Sequence, residues 1–218
     1  MPRHADHDER RAELADAVSQ IILENGIDGV SVRSVAQASG WSVGAIRYYF
    51  PRQEELVSYA LTRMIERSVD RIQEAEQADM SDPVTWARNI ICNTMPINDD
   101  TRRDIRIWMA FVDRGLAREH VAELMDKVWE GGRFYSRRMV AAMARLPLPT
   151  EIDEPLDDAF LEETATVLHV MWNGISFQGI MAPDRLHPEE ICRLTNRVLN
   201  TISERVRIHQ SHPQMMSR

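Results

Sequence analysis

The chain contains few of the residues that several common architectures require. It has only two cysteines, Cys92 and Cys192, so neither a disulfide framework nor a multi-thiolate zinc site can form. Nine glycines and ten scattered prolines exclude collagen-like and low-complexity chains, and so few turn residues argue against an all-β fold. The sequence also lacks a Gly-rich phosphate loop and an HExxH segment. We therefore expect no enzyme activity, no catalytic residue, no metal site and no cofactor.

Signals for secretion or membrane insertion are also missing. The first ten residues are charged and have no apolar core, so they do not resemble a secretory signal. Residues 164–183 contain no Asp, Glu, Lys or Arg and are long enough to cross a bilayer. They include His169 and Asn173, however, whose transfer into hydrocarbon would be costly. We expect a helix that is buried on all sides within a cytoplasmic protein.

Acidic residues are absent from one segment of an acidic chain. The net charge is −8 with 34 acidic residues, and an even spread would place about four of them in residues 29–53. That segment has none, and it carries three arginines together with Trp41, Tyr48 and Tyr49. A basic and aromatic cluster of this kind is typical of DNA-binding modules, although charge alone leaves a chance gap equally open.

The spacing of apolar residues predicts an all-α fold of about nine helices. We expect an N-terminal helix-turn-helix domain of three helices, residues 1–52, joined by the helix 52–78 to a larger helical ligand-binding and dimerisation domain, residues 53–210. Residues 211–218 have no apolar pattern and are expected to be disordered. The predicted helices cover residues 8–25, 31–39, 42–50, 52–78, 82–95, 101–116, 118–145, 157–181 and 188–210.

Two short helices in residues 32–50 form the most informative pattern. Gly40 supplies the backbone freedom for the turn between them, and Ala36 is small enough for the helices to cross closely. Val35, Ile46 and Phe50 are positioned to pack beneath the pair. This arrangement predicts a helix-turn-helix.

The helical period then separates the two faces of the second of these helices. Val43, Gly44, Arg47 and Tyr48 fall on one side, which we expect to be exposed, and Tyr49 falls on the other. Arg47 would contact guanine or phosphate, and Tyr48 would donate to phosphate; packing in the domain is the alternative for both tyrosines. The candidate DNA-binding residues are Ser31, Arg33, Trp41, Ser42, Val43, Gly44, Ala45, Arg47, Tyr48, Tyr49 and Arg52.

The segment VSVRSVAQASGWSVGAIRYYFPRQEELVSYAL closely resembles the DNA-binding domain of the TetR family of bacterial transcriptional regulators. Within residues 8–60 the matching features are Ser31, Val35-Ala36, Gly40, Ser42, Gly44, Tyr49-Phe50 and Glu54-Glu55-Leu56. Two positions depart from the family pattern. Arg47 stands where the family usually has Tyr, which would change the base preference. Gln53 stands where the family usually has a phosphate-binding Lys, which would remove one charged contact.

The C-terminal part resembles the BetI-like branch of that family through the runs IRIWMAFVDRGL and WNGISFQGIMAPDRLHPEE. This resemblance implies a ligand-binding domain and a dimer built from the last two long helices, with packing inside one subunit as the alternative. It does not identify the ligand. The candidate interface residues are Leu168, Ile175, Ile191, Leu194, Val198 and Ile202.

A neutral polar stripe on the helix 157–181 consists of Thr166, His169, Asn173 and Ser176. Such groups need hydrogen-bond partners when they are buried. The stripe either lines an effector pocket or bonds to neighbouring helices or across a dimer. The candidate pocket residues are Trp86, Trp108, Met109, Phe111, Trp129, Phe134, His169, Trp172, Asn173 and Ser176, with plain core packing as the alternative for the aromatic residues.

These observations predict a homodimeric transcriptional regulator that responds to a small-molecule effector. Repression of a palindromic operator, which the effector relieves, is the usual mode of the family and is implied by the resemblance. Two other classes remain open, namely a helical small-molecule-binding protein that has lost DNA binding and a co-regulator that binds another protein instead of DNA. We expect double-stranded DNA, a second copy of the chain and an effector as partners, and no membrane.

Overall fold

The computed structural model describes residues 2–115 and 119–211, and the side chains of residues 7–112 and 121–211. All regular structure in these residues is helical, which confirms the expected fold class. The largest departure from the predicted bounds is α1, which begins at Pro2 rather than at residue 8, because its polar first residues have no apolar face to reveal a helix. The described helices are α1 (Pro2–Asn25), α2 (Val32–Ser39), α3 (Val43–Tyr49), α4 (Gln53–Glu76), α5 (Pro83–Cys92), α6 (Asp99–Gly115), α7 (Glu119–Met143), α8 (Ala159–Met181) and α9 (Pro188–Ser211), with one 3-10 turn at Ile27–Gly29.

The chain divides into two compact units. The N-terminal unit comprises the described residues up to Arg67 together with Arg106–Met125, and the C-terminal unit comprises Ser68–Ile105 and the described residues from Asp126 onward. The helix α4 contributes to both units. A segment from α6 and α7 thus belongs with the N-terminal helices, although the division expected from the sequence has a single boundary at residue 52.

Each unit has its own apolar core. In the N-terminal unit, buried residues of α1 pack in one cluster with those of the helix-turn-helix and the first half of α4, and the same cluster includes Ile107 and Phe111 of α6. In the C-terminal unit, residues of α5, α7, α8 and α9 form a second cluster that includes Trp86, Met139 and Leu199. The two cores account for the apolar periodicity that predicts the helices.

The single chain does not bury α8 on all sides, which corrects the expectation from its uncharged sequence. One side carries Leu161, Ala165 and Leu168, which are at most 2% exposed. The opposite side, here called the α8 outer face, consists of four residues that are 46–65% exposed: Val167, Val170, Phe177 and Met181. A helix that is apolar all round needs cover on both sides, and the chain supplies it on only one.

No helix in the described part of the chain is both long enough and apolar enough to cross a membrane. The expected disordered tail lies outside the described residues except for Ser211, which is the last residue of α9.

Candidate DNA interface and ligand site

Local hydrogen bonds define the ends of α2 and α3. The Ser31 hydroxyl accepts from the backbone N–H of Ser34 at 3.0 Å, and the Ser34 hydroxyl accepts from the N–H of Ser31 at 2.8 Å. This capping box starts α2, and Gly40 ends it with a φ of 74° in the left-handed region. Ser42 then caps α3 by accepting from the N–H of Ala45 at 3.1 Å. The predicted bounds of both helices are confirmed.

Three apolar side chains hold the two helices on the rest of the unit. Val35 and Ile46 are completely buried and Phe50 is 1% exposed, as predicted. Burying each such side chain stabilises the fold by about 1.5–3 kcal/mol. The direction in which α3 presents its outer surface is therefore determined by packing rather than by the helix alone.

The outer surface of α3 carries the side chains that the helical period assigned to it. Val43, Gly44, Arg47 and Tyr48 are all exposed, and Tyr48 is 75% exposed. A short helix with an arginine, a hydroxyl and small residues on one accessible side has the groups that contact phosphates and base edges in a major groove.

The ring of Tyr48 packs against an aromatic cluster. The ring of Tyr49 is half-buried and lies edge-on to Tyr48 at 5.1 Å and to Trp41 at 5.6 Å between centroids. The ring of His7 lies 4.7 Å from Tyr49 on another side. Packing is thus the observed role of Tyr49 and Trp41, whereas their contact with DNA stays a prediction. Sequence reasoning missed His7 because α1 is distant from α3 along the chain.

The polar residues around the helix-turn-helix differ in whether their side chains already hydrogen-bond within the chain. Arg33 is exposed in the first turn of α2, whereas Nε of Arg52 donates to Glu55 at 2.6 Å. Nε2 of Gln53 donates to the carbonyl oxygen of Val30 at 2.7 Å. Gln53 therefore links the start of α4 to the residue before the α2 cap, a structural role that the sequence did not reveal.

The predicted pocket residues are divided between the two units. Trp108, Met109 and Phe111 lie in the N-terminal unit and the other seven in the C-terminal unit. Phe111 is completely buried and Trp86 is 1% exposed, each in the core of its own unit, whereas Trp129 is 59% exposed. Phe111 and Trp86 thus pack in apolar cores, and their membership of an effector pocket stays a prediction.

The C-terminal unit contains two cavities whose lining residues differ from most of the predicted pocket residues. One is apolar and has about 10 Å³, which is the space of a single water molecule; Trp172 is the one predicted pocket residue in its lining. The other is an open cleft of about 320 Å³ lined by Met80, Ser81, Pro83, Ala142, Arg145 and Leu146, none of which was predicted. Membership of the remaining residues in an effector pocket stays a prediction.

The polar stripe of α8 is largely satisfied by its surroundings. The Thr166 hydroxyl donates to the carbonyl four residues earlier at 3.1 Å, and Nδ2 of Asn173 donates to the carbonyl of His169 at the same distance. The Ser176 hydroxyl contacts Sδ of Met95 at 3.2 Å. Thr166 and Asn173 are exposed. The remaining member of the stripe, His169, packs against α7.

His169 lies directly against the backbone of α7. A Cβ added to Gly132 would overlap Nε2 of His169, and the imidazole lies edge-on to Trp129 at 5.9 Å between centroids. Burial, and then the nearby charge of Arg133, lower the pKa of His169 to about 4. The imidazole is therefore neutral near pH 7.

Next to His169, one carboxylate binds two arginines. Oε1 of Glu162 accepts from Nη2 of Arg133 at 2.5 Å and from Nη2 of Arg137 at 2.8 Å. Burial opposes ionisation of Glu162, but the hydrogen bond from Arg137 and both guanidinium charges hold its pKa below the usual value. Sequence reasoning missed this cluster. Its signal was the spacing of the two arginines, which are four residues apart and so lie on one side of α7.

The predicted dimer residues pack on the core of their own chain, and their place in a dimer interface stays a prediction. None of the buried members is more than 6% exposed, and the other two pack on the same cluster. The apolar stripe of α9 is occupied by α5 and α8 of the same chain. The residues concerned are Leu168, Ile175, Ile191 and Ile202, which are buried, and Leu194 and Val198, which are partly buried.

Both parts of the chain match known family models. Residues 14–60 match the model described as "Bacterial regulatory proteins, tetR family". Residues 83–204 match "BetI-type transcriptional repressor, C-terminal". The first match contains the whole helix-turn-helix, and the second contains α5, α6, α7, α8 and most of α9.

Relatives of nearly the same length are transcriptional regulators rather than enzymes. The regulator PksA of Bacillus subtilis (strain 168) is 29% identical over 93% of this chain and 94% of its own length. The regulator BetI of Paraburkholderia phymatum is 22% identical over 93% of this chain and 97% of its own length.

Solved structures share the fold. A transcriptional regulator from Rhodococcus sp. Rha1 has a TM-score of 0.75 at 22% identity, covering 89% of this chain and 96% of the other. A regulator from Saccharomonospora viridis in complex with choline has a TM-score of 0.76 at 16% identity, covering 88% and 96%. With both family models matched, the chain belongs to the TetR family of transcriptional regulators and consists of a DNA-binding domain and a BetI-type ligand-binding domain.

Proposed function

We propose that this chain is a cytoplasmic homodimeric repressor that binds a palindromic operator and is released from it by a small-molecule effector. The observation that carries the proposal is the exposed outer surface of α3, with Arg47 and Tyr48 projecting from a helix that buried side chains hold in place. The surface belongs to a 25-residue segment with no acidic residue. It therefore attracts phosphate in a chain whose net charge is negative.

Each exposed group on α3 suits a different part of DNA. The guanidinium of Arg47 suits O6 and N7 of guanine or a phosphate, and the methyl groups of Val43 suit a thymine methyl. A Cβ added to Gly44 would meet only the Ser42 hydroxyl, at 4.0 Å, so the start of α3 can approach the base edges closely. The Tyr48 hydroxyl suits a phosphate oxygen.

Fluorescence anisotropy with pooled fragments of the source genome, at two salt concentrations, tests DNA recognition. We expect saturable binding to a few fragments, weakened by salt, and a loss of about 1–3 kcal/mol of specific binding in Arg47→Ala. Arg193→Ala is the matched control, because Arg193 is an exposed arginine of α9 that pairs with Glu190. Equal binding to all fragments, or equal losses in both variants, would refute sequence recognition through α3.

The α8 outer face supports dimerisation. Val167, Val170, Phe177 and Met181 are spaced three, seven and four residues apart on one side of α8, and Gly174 between them has open space around it. Contiguous exposed apolar surface of this kind marks an interface, and the glycine permits close approach of another helix. A second copy is the partner we propose, because a two-fold dimer presents two copies of α3 to successive half-sites.

Sedimentation analysis of the purified chain tests the dimer. Val170→Glu places a charge on the most exposed residue of the α8 outer face, and we expect it to convert dimer to monomer and to weaken operator binding. Leu146→Glu is the control, because Leu146 is a similarly exposed apolar residue, at 44%, outside α8. A monomeric wild-type chain, or a dimer that survives Val170→Glu, would show that this face is not the interface.

Release by an effector requires differential binding. The effector must bind the DNA-competent and the released dimer with different affinities, since an equal affinity shifts no equilibrium. The helix α4 is the proposed lever because it contributes residues to both units. A compound that stabilises the protein against heat should also weaken its operator binding. An effector that left operator affinity unchanged would refute release, and turnover of that compound would favour the alternative of a ligand-carrying protein or small enzyme.

A further inference from the structure

Two buried polar atoms of α7, Nη1 of Arg133 and Oγ of Ser136, have no hydrogen-bond partner among the residues that the structure describes. The Arg133 side chain is 7% exposed, and its Nη1 atom is buried without a hydrogen-bond acceptor. The Ser136 hydroxyl, one turn later, is completely buried and also lacks a partner in this part of the chain. Residues three apart in a helix lie on the same side, so both residues belong to one side of α7.

The charges around Arg133 do not balance. Glu162 is bonded to two guanidinium groups, those of Arg133 and Arg137, so these three side chains have a net charge of +1. His169 packs beside them at Gly132 and is neutral because of its lowered pKa. It therefore neither adds to the positive charge nor offsets it. A buried charge that is only partly compensated is costly, and an anion beside it would remove that cost.

We infer that Arg133 and Ser136 recognise a carboxylate on the effector, with Nη1 and Oγ donating to its oxygens beside His169. This inference rests on the proposed ligand response and specifies the chemistry of its site. Arginine suits carboxylates because its planar donors match their geometry. A cationic effector would instead meet an uncompensated guanidinium. The effector class is therefore an organic acid rather than a quaternary ammonium compound.

Acetate is the smallest probe that carries the recognised group, and acetamide is its uncharged counterpart. We would measure thermal unfolding of the full chain against each compound, with ionic strength held constant by sodium fluoride. We expect acetate to raise the unfolding midpoint in a saturable manner by mass action and acetamide to have no such effect. The absence of saturable stabilisation by acetate, or equal stabilisation by acetamide, would overturn the inference.

Three variants separate recognition from stability. Arg133→Met removes the buried donor, and we expect the apparent acetate affinity to fall about tenfold to a hundredfold. Ser136→Ala keeps the guanidinium and should lower that affinity several-fold. Arg138→Met is the matched control, because Arg138 is a half-buried arginine of α7 that pairs with Glu76 at 2.8 Å, away from Glu162. Equal acetate affinity in Arg133→Met and Arg138→Met would overturn the inference, and Ser136→Ala keeps the test valid if Arg133→Met fails to fold.

Operator binding by the same variants distinguishes this inference from the proposed function. Arg133→Met should bind operator DNA like the wild type and lose its response to acetate. If operator recognition fails in the wild type while acetate still binds through Arg133, the proposed function is wrong and the carboxylate site stands. If operator recognition holds and acetate binding does not depend on Arg133, the carboxylate site is wrong.

Discussion

Gln53 provides a sharp test of whether a residue of the DNA-binding domain acts on DNA or on the fold. Its side-chain amide donates to the carbonyl of Val30 at 2.7 Å, and Val30 itself is 2% exposed. Val30 directly precedes Ser31, whose capping box starts α2. Gln53→Ala would leave that carbonyl without its side-chain donor and loosen the link between the start of α4 and the helix-turn-helix.

The size of the effect follows from the single bond that is lost. A neutral hydrogen bond contributes about 0.5–1.5 kcal/mol net, and Gln53 is largely exposed, so we expect a loss near the lower half of that range. For a chain of this length, about 1 kcal/mol lowers the melting temperature by about 2–4 °C. Because the amide carries no charge, we expect the salt dependence of DNA binding to stay the same.

Two assays on three variants separate these roles. We would record thermal unfolding, and the slope of log affinity against log salt, for Gln53→Ala, Gln53→Lys and the control Gln73→Ala, an exposed glutamine further along α4. Gln53→Lys should raise the magnitude of the salt slope by about 0.9, the value of one added phosphate contact. The reasoning is refuted if Gln53→Ala lowers the salt slope while its melting temperature matches that of Gln73→Ala.

Three further predictions concern the cap of α3 and the contact between α7 and α8. Ser42→Ala should cost about 1 kcal/mol and Ser42→Gly only a few tenths in urea unfolding, because Ser42 caps α3; equal costs would contradict the capping role. Gly132→Ala should displace His169, since the added methyl would overlap its ring, and an unchanged His169 resonance in NMR would disprove this contact. The pKa of His169 falls from 6.5 to about 4 on folding, so the unfolded state takes up its proton more readily in acid. The free energy of unfolding should therefore fall between pH 6.5 and 4, and fall less in His169→Gln; identical pH profiles would rule out a buried neutral histidine.

Prediction from sequence worked best where a few neighbouring residues determine the outcome. The exposed side of α3 follows from the 100° turn per residue and from two apolar positions, Ile46 and Phe50, so it could be assigned without any tertiary contact. Prediction from sequence worked poorly for α8. Apolar residues occur all round that helix, so the sequence could not tell the side covered by α9 from the outer face that includes Val170.

The sequence by itself determined the family, the helical architecture and the ends of α2 and α3, because capping by Ser31 and Ser42 and the left-handed turn at Gly40 are local interactions. Only the tertiary structure decided which apolar stripe faces the core and which polar groups meet. Gln53 and Val30 are 23 residues apart, and Arg133 and Glu162 are 29 residues apart. Contacts over such separations depend on how whole helices pack, and helical periodicity carries no information about the partner that a side chain will meet.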